Sequence, residues 1–122
     1  MKSILSFFEI PATDFARATA FYRAILDIDI VEMEINGLQM GLFPGDPETV
    51  SGAVITGGGY QPSAQGVIVY LNGGDDLQQV LDKIEPNQGK VVVPKTAIGQ
   101  DMGFYALFND TEGNKIGLHS SH

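Results

Sequence analysis

Cysteine is missing from this chain of 122 residues, and cationic residues are scarce, with seven Lys and Arg against fifteen Asp and Glu. Without thiols there is no cysteine nucleophile, no Cys-ligated zinc, no iron–sulfur cluster and no thiol switch. The same absence leaves the redox compartment open while agreeing with a reducing cytoplasm. A net charge of -8 repels phosphate backbones over any distance that salt does not screen, which argues against nucleic-acid binding. Nowhere is there an apolar run of the roughly eighteen residues that a membrane-spanning helix requires. The opening MKSILSFFEIPATD breaks its short apolar stretch at Glu9 and Pro11 and offers no small-residue cleavage site, so it does not read as a signal peptide. A soluble, cytoplasmic protein that touches neither membrane nor nucleic acid is the expectation.

What is present suffices for one compact core, since 43% of the residues are apolar and a chain of this length needs no disulfide or structural metal to fold. Residues 4–10 form a β-rich run, and Asp14 stands where a helix N-cap belongs, able to accept the orphan N–H groups of the next turn. Phe15, Ala18, Phe21, Tyr22, Ile25 and Leu26 then recur at three- and four-residue steps, which predicts a helix over 14–27 with one buried stripe. Strand-like runs at 29–35 and 38–43 are split by Asn36-Gly37, a pair suited to a tight hairpin turn, and Pro44-Gly45-Asp46-Pro47 closes the second of them. Another strand is expected at 51–56. The order so far is β-α-β-β-β.

That order then starts again. A strand is expected at 66–71, followed by a helix over 75–85 capped by Asp75 or Asp76, with Leu77, Val80, Leu81 and Ile84 on one face. Three further strands fall at 90–93, 104–108 and 115–119. A shift of 61 places Phe7, Glu9, Ile10 and Asp14 on Ile68, Tyr70, Leu71 and Asp75, and a shift of 65 places Leu42-Phe43 on Leu107-Phe108 and Gly52 on Gly117. Two copies of one unit in a single α+β domain over 1–122 are therefore expected: a first module over about 1–58, a linker over about 57–65 containing Gly57-Gly58-Gly59, and a second module over about 66–122. The three glycines lack the strand-to-helix context and the Lys-Ser/Thr ending of a phosphate loop.

The segment FFEIPATDFARATAFYRAIL, with FNDTEGNKIGLH near the end, resembles the vicinal oxygen chelate superfamily, the group of glyoxalases, bleomycin-resistance proteins and extradiol dioxygenases. The resemblance implies two βαβββ modules, each an incomplete barrel, curled around a shared cleft, and a homodimer. It also implies positions for metal ligands on the first and last strands of each module, which fall here on Phe7, Gly52, Ile68 and Gly117. None of these side chains offers a lone pair, whereas a divalent transition metal needs three or more N, O or S donors. No metal and no other cofactor is expected, and the metal-dependent activities of the group do not carry over.

Strand alternation then names the remaining candidates, because residues two apart share a face. Glu9 goes with Phe7, Tyr70 with Ile68, Val54 with Gly52, and His119 with Gly117. Glu9 has two readings, a strand-edge carboxylate in water or a cleft carboxylate raised toward general-base range by burial. His119 is the candidate acid beside it, close to a terminus where chains fray. Phe7, Ile68, Tyr70 and Tyr105 are candidate ligand contacts, with the facing of Tyr105 left open. Lys95 reads either as a solvated side chain or as a contact for an anionic ligand. Two functions follow. One is a dimeric protein that binds a small, partly aromatic or aliphatic molecule without chemistry; the other is a glyoxalase-like lyase or isomerase that works without the usual metal, with Glu9 as base and His119 or Tyr70 as acid. Convergence of Glu9 and His119 discriminates between them.

Overall fold

The computed structural model describes residues 3–46 and 48–122, so the expected turn residue Pro47 lies outside the described residues. Strand β1 (Phe7–Pro11) leads into helix α1 (Phe15–Leu26), and β2 (Val31–Ile35), β3 (Leu38–Leu42) and β4 (Ser51–Thr56) follow. The second half repeats the sequence of elements with β5 (Tyr70–Asn72), α2 (Gln78–Ile84), β6 (Lys90–Ala97), β7 (Phe104–Asn109) and β8 (Lys115–Ser120). The two four-stranded sheets have equivalent orders, β1-β4-β3-β2 and β5-β8-β7-β6, each with one parallel pair between its first and last strands. This is the α+β architecture of two βαβββ modules.

Helix α1 begins where expected, because the Asp14 carboxylate accepts the Arg17 N–H at 3.0 Å, and it ends at Asp27, which adopts the left-handed conformation. Its stripe of Ala18, Phe21, Tyr22 and Ile25 is buried. One core cluster gathers that stripe with Ile10 and Val54 from the first sheet, Leu77, Leu81 and Ile84 around α2, and Ala106, Phe108, Ile116 and Leu118 from the second sheet. Burying each large side chain of this kind contributes about 1.5–3 kcal/mol. Phe21 of α1 reaches Phe108 of β7 with ring centroids 6.0 Å apart, so the modules meet through the layer that holds both helices. Each sheet turns its other face, called outer here, away from this core.

Several boundaries differ from the sequence reading. Strand β1 starts at Phe7 because its parallel partner begins opposite it at Ser51, which leaves Ile4 94% exposed. Strand β5 has shrunk to three residues, and Val67 ahead of it is 94% exposed. Strand β6 runs on past Pro94 to Ala97, since the ladder shifts register between Val93 and Thr96 and needs no N–H from the proline there. The N-cap of α2 falls on Leu77, with no side-chain cap, rather than on Asp75 or Asp76; Asp76 nevertheless accepts the Gln78 N–H at 2.9 Å, and the Leu77 N–H goes to the Ser120 hydroxyl at 3.0 Å.

Candidate functional site

The pairing register assigns each candidate to a face. Phe8 packs against the core and Ile10 is buried in it, so Phe7 and Glu9 between and beside them stand on the outer face of the first sheet. There Glu9 pairs in register with Ala53, and Ala53, Ile55 and Met40 make a small apolar cluster of their own. Gly52 and Val54 occupy the opposite, core-facing side: a side chain at Gly52 would meet the Phe8 ring at 2.6 Å, and Val54 is fully buried in the main core. The expected sharing of the cleft by Gly52 and Val54 is therefore corrected. The residue equivalent to Gly117 is Ala53, because Glu9 pairs with Ala53 as Tyr70 pairs with Gly117. The loop between β3 and β4 changes the shift between modules from 65 to 64 at this point.

On the outer face of the second sheet, Tyr70, Tyr105, His119 and Ile98 line one pocket of about 430 Å³. The register explains the grouping: Tyr105 lies opposite His119 in the β7–β8 pair, which fixes its facing, and Tyr70 lies beside Gly117 in the β5–β8 pair. Glycine at 117 is what admits the tyrosine, since an added Cβ would fall 2.8 Å or less from the Tyr70 ring. The His119 ring is positioned by its Nε2, 2.8 Å from the Met102 carbonyl oxygen. A carbonyl can only accept, so Nε2 carries the proton and Nδ1 of a neutral ring is left as the acceptor. Met102 belongs to the β6–β7 connection, where Gln100 and Asp101 both have positive φ and Ile98 enters the pocket wall. The Met102 contact depends on a main-chain atom and so leaves no residue signature in the sequence.

Glu9 does not join this group. It is exposed on the outer face of the other sheet, and the common core lies between that face and His119, so on the question left open by the sequence Glu9 does not line the pocket of Tyr70 and His119 within this chain. Phe7 shares the fate of Glu9, and Ile68, partly buried just ahead of β5, is absent from the pocket wall. Tyr70 also borders a groove of about 500 Å³ at the module junction, walled by Phe8, Leu26, Ile28, Phe43 and Val69. Most of its lining is core-facing and apolar, with Ser51 and Asn72 as polar neighbours of Tyr70, whereas the smaller pocket joins two phenols and an imidazole, so the smaller pocket is the better candidate although the groove is larger.

A cradle for a metal is lacking at the positions the fold would use. Phe7, Ala53, Ile68 and Gly117 offer ring, methyl, aliphatic chain and hydrogen, and the ring of Tyr70 occupies the space over Gly117. The residues present do not fit a divalent ion held in that way.

Charge is concentrated elsewhere, at the seam between modules. The Glu112 side chain, inaccessible to solvent, accepts from the Thr13 and Asp14 N–H groups at 2.9 and 2.8 Å and from Arg17 Nε at 2.7 Å. Burial pushes its pKa up, but the Arg17 hydrogen bond and the other donors outweigh burial and hold it at about 2. Asn114 Nδ2 donates to the Pro11 carbonyl at 2.7 Å, which ties the same β7–β8 turn to the end of β1. Lys95, considered above as an anion contact, is instead paired with Asp76 at 2.8 Å and lies 4.5 Å from the centre of the Phe104 ring.

Two βαβββ modules joined through their helices, with ligand-sized space on the outer face of the second sheet, define a paired-module fold class. The profile of the Glyoxalase/Bleomycin resistance protein/Dioxygenase superfamily matches residues 4–118, and the chain belongs to that superfamily. Among solved structures, TnmS3, an antibiotic binding protein from Streptomyces sp. CB03234, aligns over 98% of both chains with a TM-score of 0.72 and 20% identity. FosX, a fosfomycin resistance protein from Listeria monocytogenes, aligns over 98% of this chain and 91% of its own with a TM-score of 0.71 and 12% identity. A glyoxalase I variant from Zea mays matches 95% of this chain with a TM-score of 0.71 and 14% identity, and the chain spans 45% of that longer protein. At these identities the likeness is one of fold. No curated protein sequence matches the chain.

Proposed function

We propose that this protein binds a small molecule with an aromatic or aliphatic body, without catalysis and without a metal, as a homodimer. The observation that carries the reading is the pocket of Tyr70, Tyr105, Ile98 and His119, apolar apart from two phenols and one imidazole. Phenol rings supply broad contact area at low conformational cost, and the imidazole supplies one oriented polar contact. The isolation of Glu9 from His119 favours binding over the lyase or isomerase alternative, which needs a base and an acid on one substrate. TnmS3, which shares the fold over nearly its whole length, is described as an antibiotic binding protein, and FosX as a resistance protein; both descriptions agree with capture of a small molecule.

A second copy fits the same reading. The outer face of the first sheet is apolar apart from Glu9 and is uncovered, with Phe7, Val31, Met33 and Ile35 exposed, and β1 and β5 each leave one edge unpaired. A thermal-shift screen of aromatic metabolites and antibiotics, run with and without divalent metal, tests the function. Hits that raise the Tm independently of metal and are lost in Tyr105→Ala support it. Hits that require metal, or that persist undiminished in Tyr105→Ala, count against it.

A further inference from the structure

Resting on that reading of the pocket, we infer that its ligand is an aromatic acid, whose oxyanion is held by Lys90 and Lys115 at the far end of the same sheet face. Lys90 pairs with Asn109 across β6 and β7, and Asn109 pairs with Lys115 across β7 and β8, so the three residues form one row over three strands. Their neighbours Val91, Phe108 and Ile116 face the core, which puts the row on the outer face with Tyr105 and His119. Strands are about 4.8 Å apart, so the two lysine stems rise roughly 10 Å from each other on either side of Asn109, a separation that two flexible ammonium groups close around one carboxylate or phosphate.

The lysines are also available. Arg17, Arg23 and Lys95 are each committed to a carboxylate, whereas Lys90 and Lys115 take part in no ion pair among the described residues. Two free cations side by side stand out in a chain of net charge -8, in which fifteen carboxylates face seven Lys and Arg. The Asn109 Oδ1 between them is buried and only accepts hydrogen bonds, so it takes no part in holding an oxyanion, and the lysine row carries that role. From Asn109 to Tyr105 is four residues along one strand, about 13 Å, and Leu107 makes the apolar floor between them. An aromatic body on Tyr70 and Tyr105 with an oxyanion on the lysine row spans that length. Most of the negative charge does not oppose it, because carboxylates more than about 8 Å away are largely screened at physiological salt; the nearer one is Glu85, whose Oε2 accepts the Val91 N–H at 3.4 Å beside Lys90 and weakens the pull on an anion at that end of the row.

The test uses three probes with one aromatic body: 1-pyrenebutyrate, the neutral 1-pyrenebutanol, and the phosphate monoester of that alcohol. Fluorescence titration of the full chain should show one or both anions binding about tenfold or more tighter than the alcohol, as a charge-assisted contact gives. The better anion identifies the oxyanion. Lys90→Gln with Lys115→Gln should reduce the anions to the affinity of the alcohol and leave the alcohol unchanged, which also shows that the variant is folded. Tyr105→Ala should weaken all three. Equal binding of anion and alcohol, or a preference that survives the double substitution, overturns the inference while leaving the aromatic pocket standing. Failure of all three probes to bind at millimolar concentration overturns both.

Discussion

Tyr22 on α1 donates its phenol hydrogen to Asp110 on the β7–β8 turn across 2.7 Å, and both residues are buried. Burial, and then the charge of Asp110, push the phenol pKa well above its ordinary value, so Tyr22 remains a donor at every pH the fold meets. This bond links the first module to the second and helps to fix how their outer faces are oriented. Tyr22→Phe keeps the ring packed against Phe21 and Phe43 but removes the hydrogen from Asp110, which retains donors from Asn114 and Glu112. The expected cost is about 1–2 kcal/mol, the lower part of the range for a buried acceptor that loses one partner. Urea denaturation with an unchanged m-value checks it, and a variant as stable as wild type would show that the bond contributes nothing net.

Glu112 makes the stability of the fold sensitive to acid. Its carboxyl has an ordinary pKa of 4.5 and is held at about 2 in the folded chain, so the unfolded state takes up its proton first as pH falls. The stabilisation is fully present above pH 4.5 and is lost as pH falls through the folded value near 2. Integrated over that window the effect is on the order of 3 kcal/mol. Glu112→Gln should lower stability at pH 7 and flatten the loss between pH 4.5 and pH 2, measured by urea midpoints at successive pH values. An unchanged pH slope in the variant would assign the acid sensitivity to other carboxylates.

How much of this was legible in the sequence depends on how local the cause is. Asp14, the α1 stripe and the Asn36-Gly37 turn act within a few residues, and each is found where the chain places it. The doubled βαβββ order was readable for the same reason. The face of β4 was not, because a single residue gained or lost in the β3–β4 loop exchanges Gly52 for Ala53 as the partner of Gly117. The strand expected at 90–93 stopped short of Pro94, and only the bulge in the β6–β7 ladder lets β6 run past it. Of the site, Tyr70, Tyr105 and His119 come together as a consequence of strand register, while Glu9 is separated from them by the way the two modules share one core. That packing arises between residues about a hundred positions apart, as in the contacts of Glu112 with Thr13 and Asp14, and no local pattern encodes it.

Gly117 should control the pocket more than the fold. The ring of Tyr70 lies where a side chain at 117 would begin, and Tyr70 is 50% exposed, so the whole ring can swing outward without opening the core. Gly117→Ala is expected to change stability by about 1 kcal/mol, because the displaced ring, struck from its root to its edge, belongs to a half-exposed side chain that can rotate away. Binding of a pyrene probe should nevertheless fall severalfold as one aromatic wall is moved. Unaltered binding together with unaltered stability would mean that Tyr70 is not part of the wall.

The last prediction concerns the uncovered face of the first sheet. Val31 is 61% exposed, Phe7 44% and Met33 40%, and all three stand on the outer face beside the buried Met40, Ala53 and Ile55. Water against such a patch costs free energy that a second copy removes, at about 25 cal/mol for each Å² of apolar surface covered. Sedimentation at micromolar concentration should therefore give about twice the 13.1 kDa mass of the chain. Met33→Glu introduces a charge that is solvated in the separate chain, so the chain should stay folded, with its urea midpoint little changed at low concentration, yet sediment mainly as the 13.1 kDa species. A wild-type chain that sediments only at 13.1 kDa would remove the dimer from the proposal, and a variant that still pairs would move the interface off this face. The same variant separates pocket from partner. If Tyr70, Tyr105 and His119 hold a pyrene probe unaided, the dissociated variant binds it as wild type does; if the partner's apolar face completes the wall, affinity falls with the dimer.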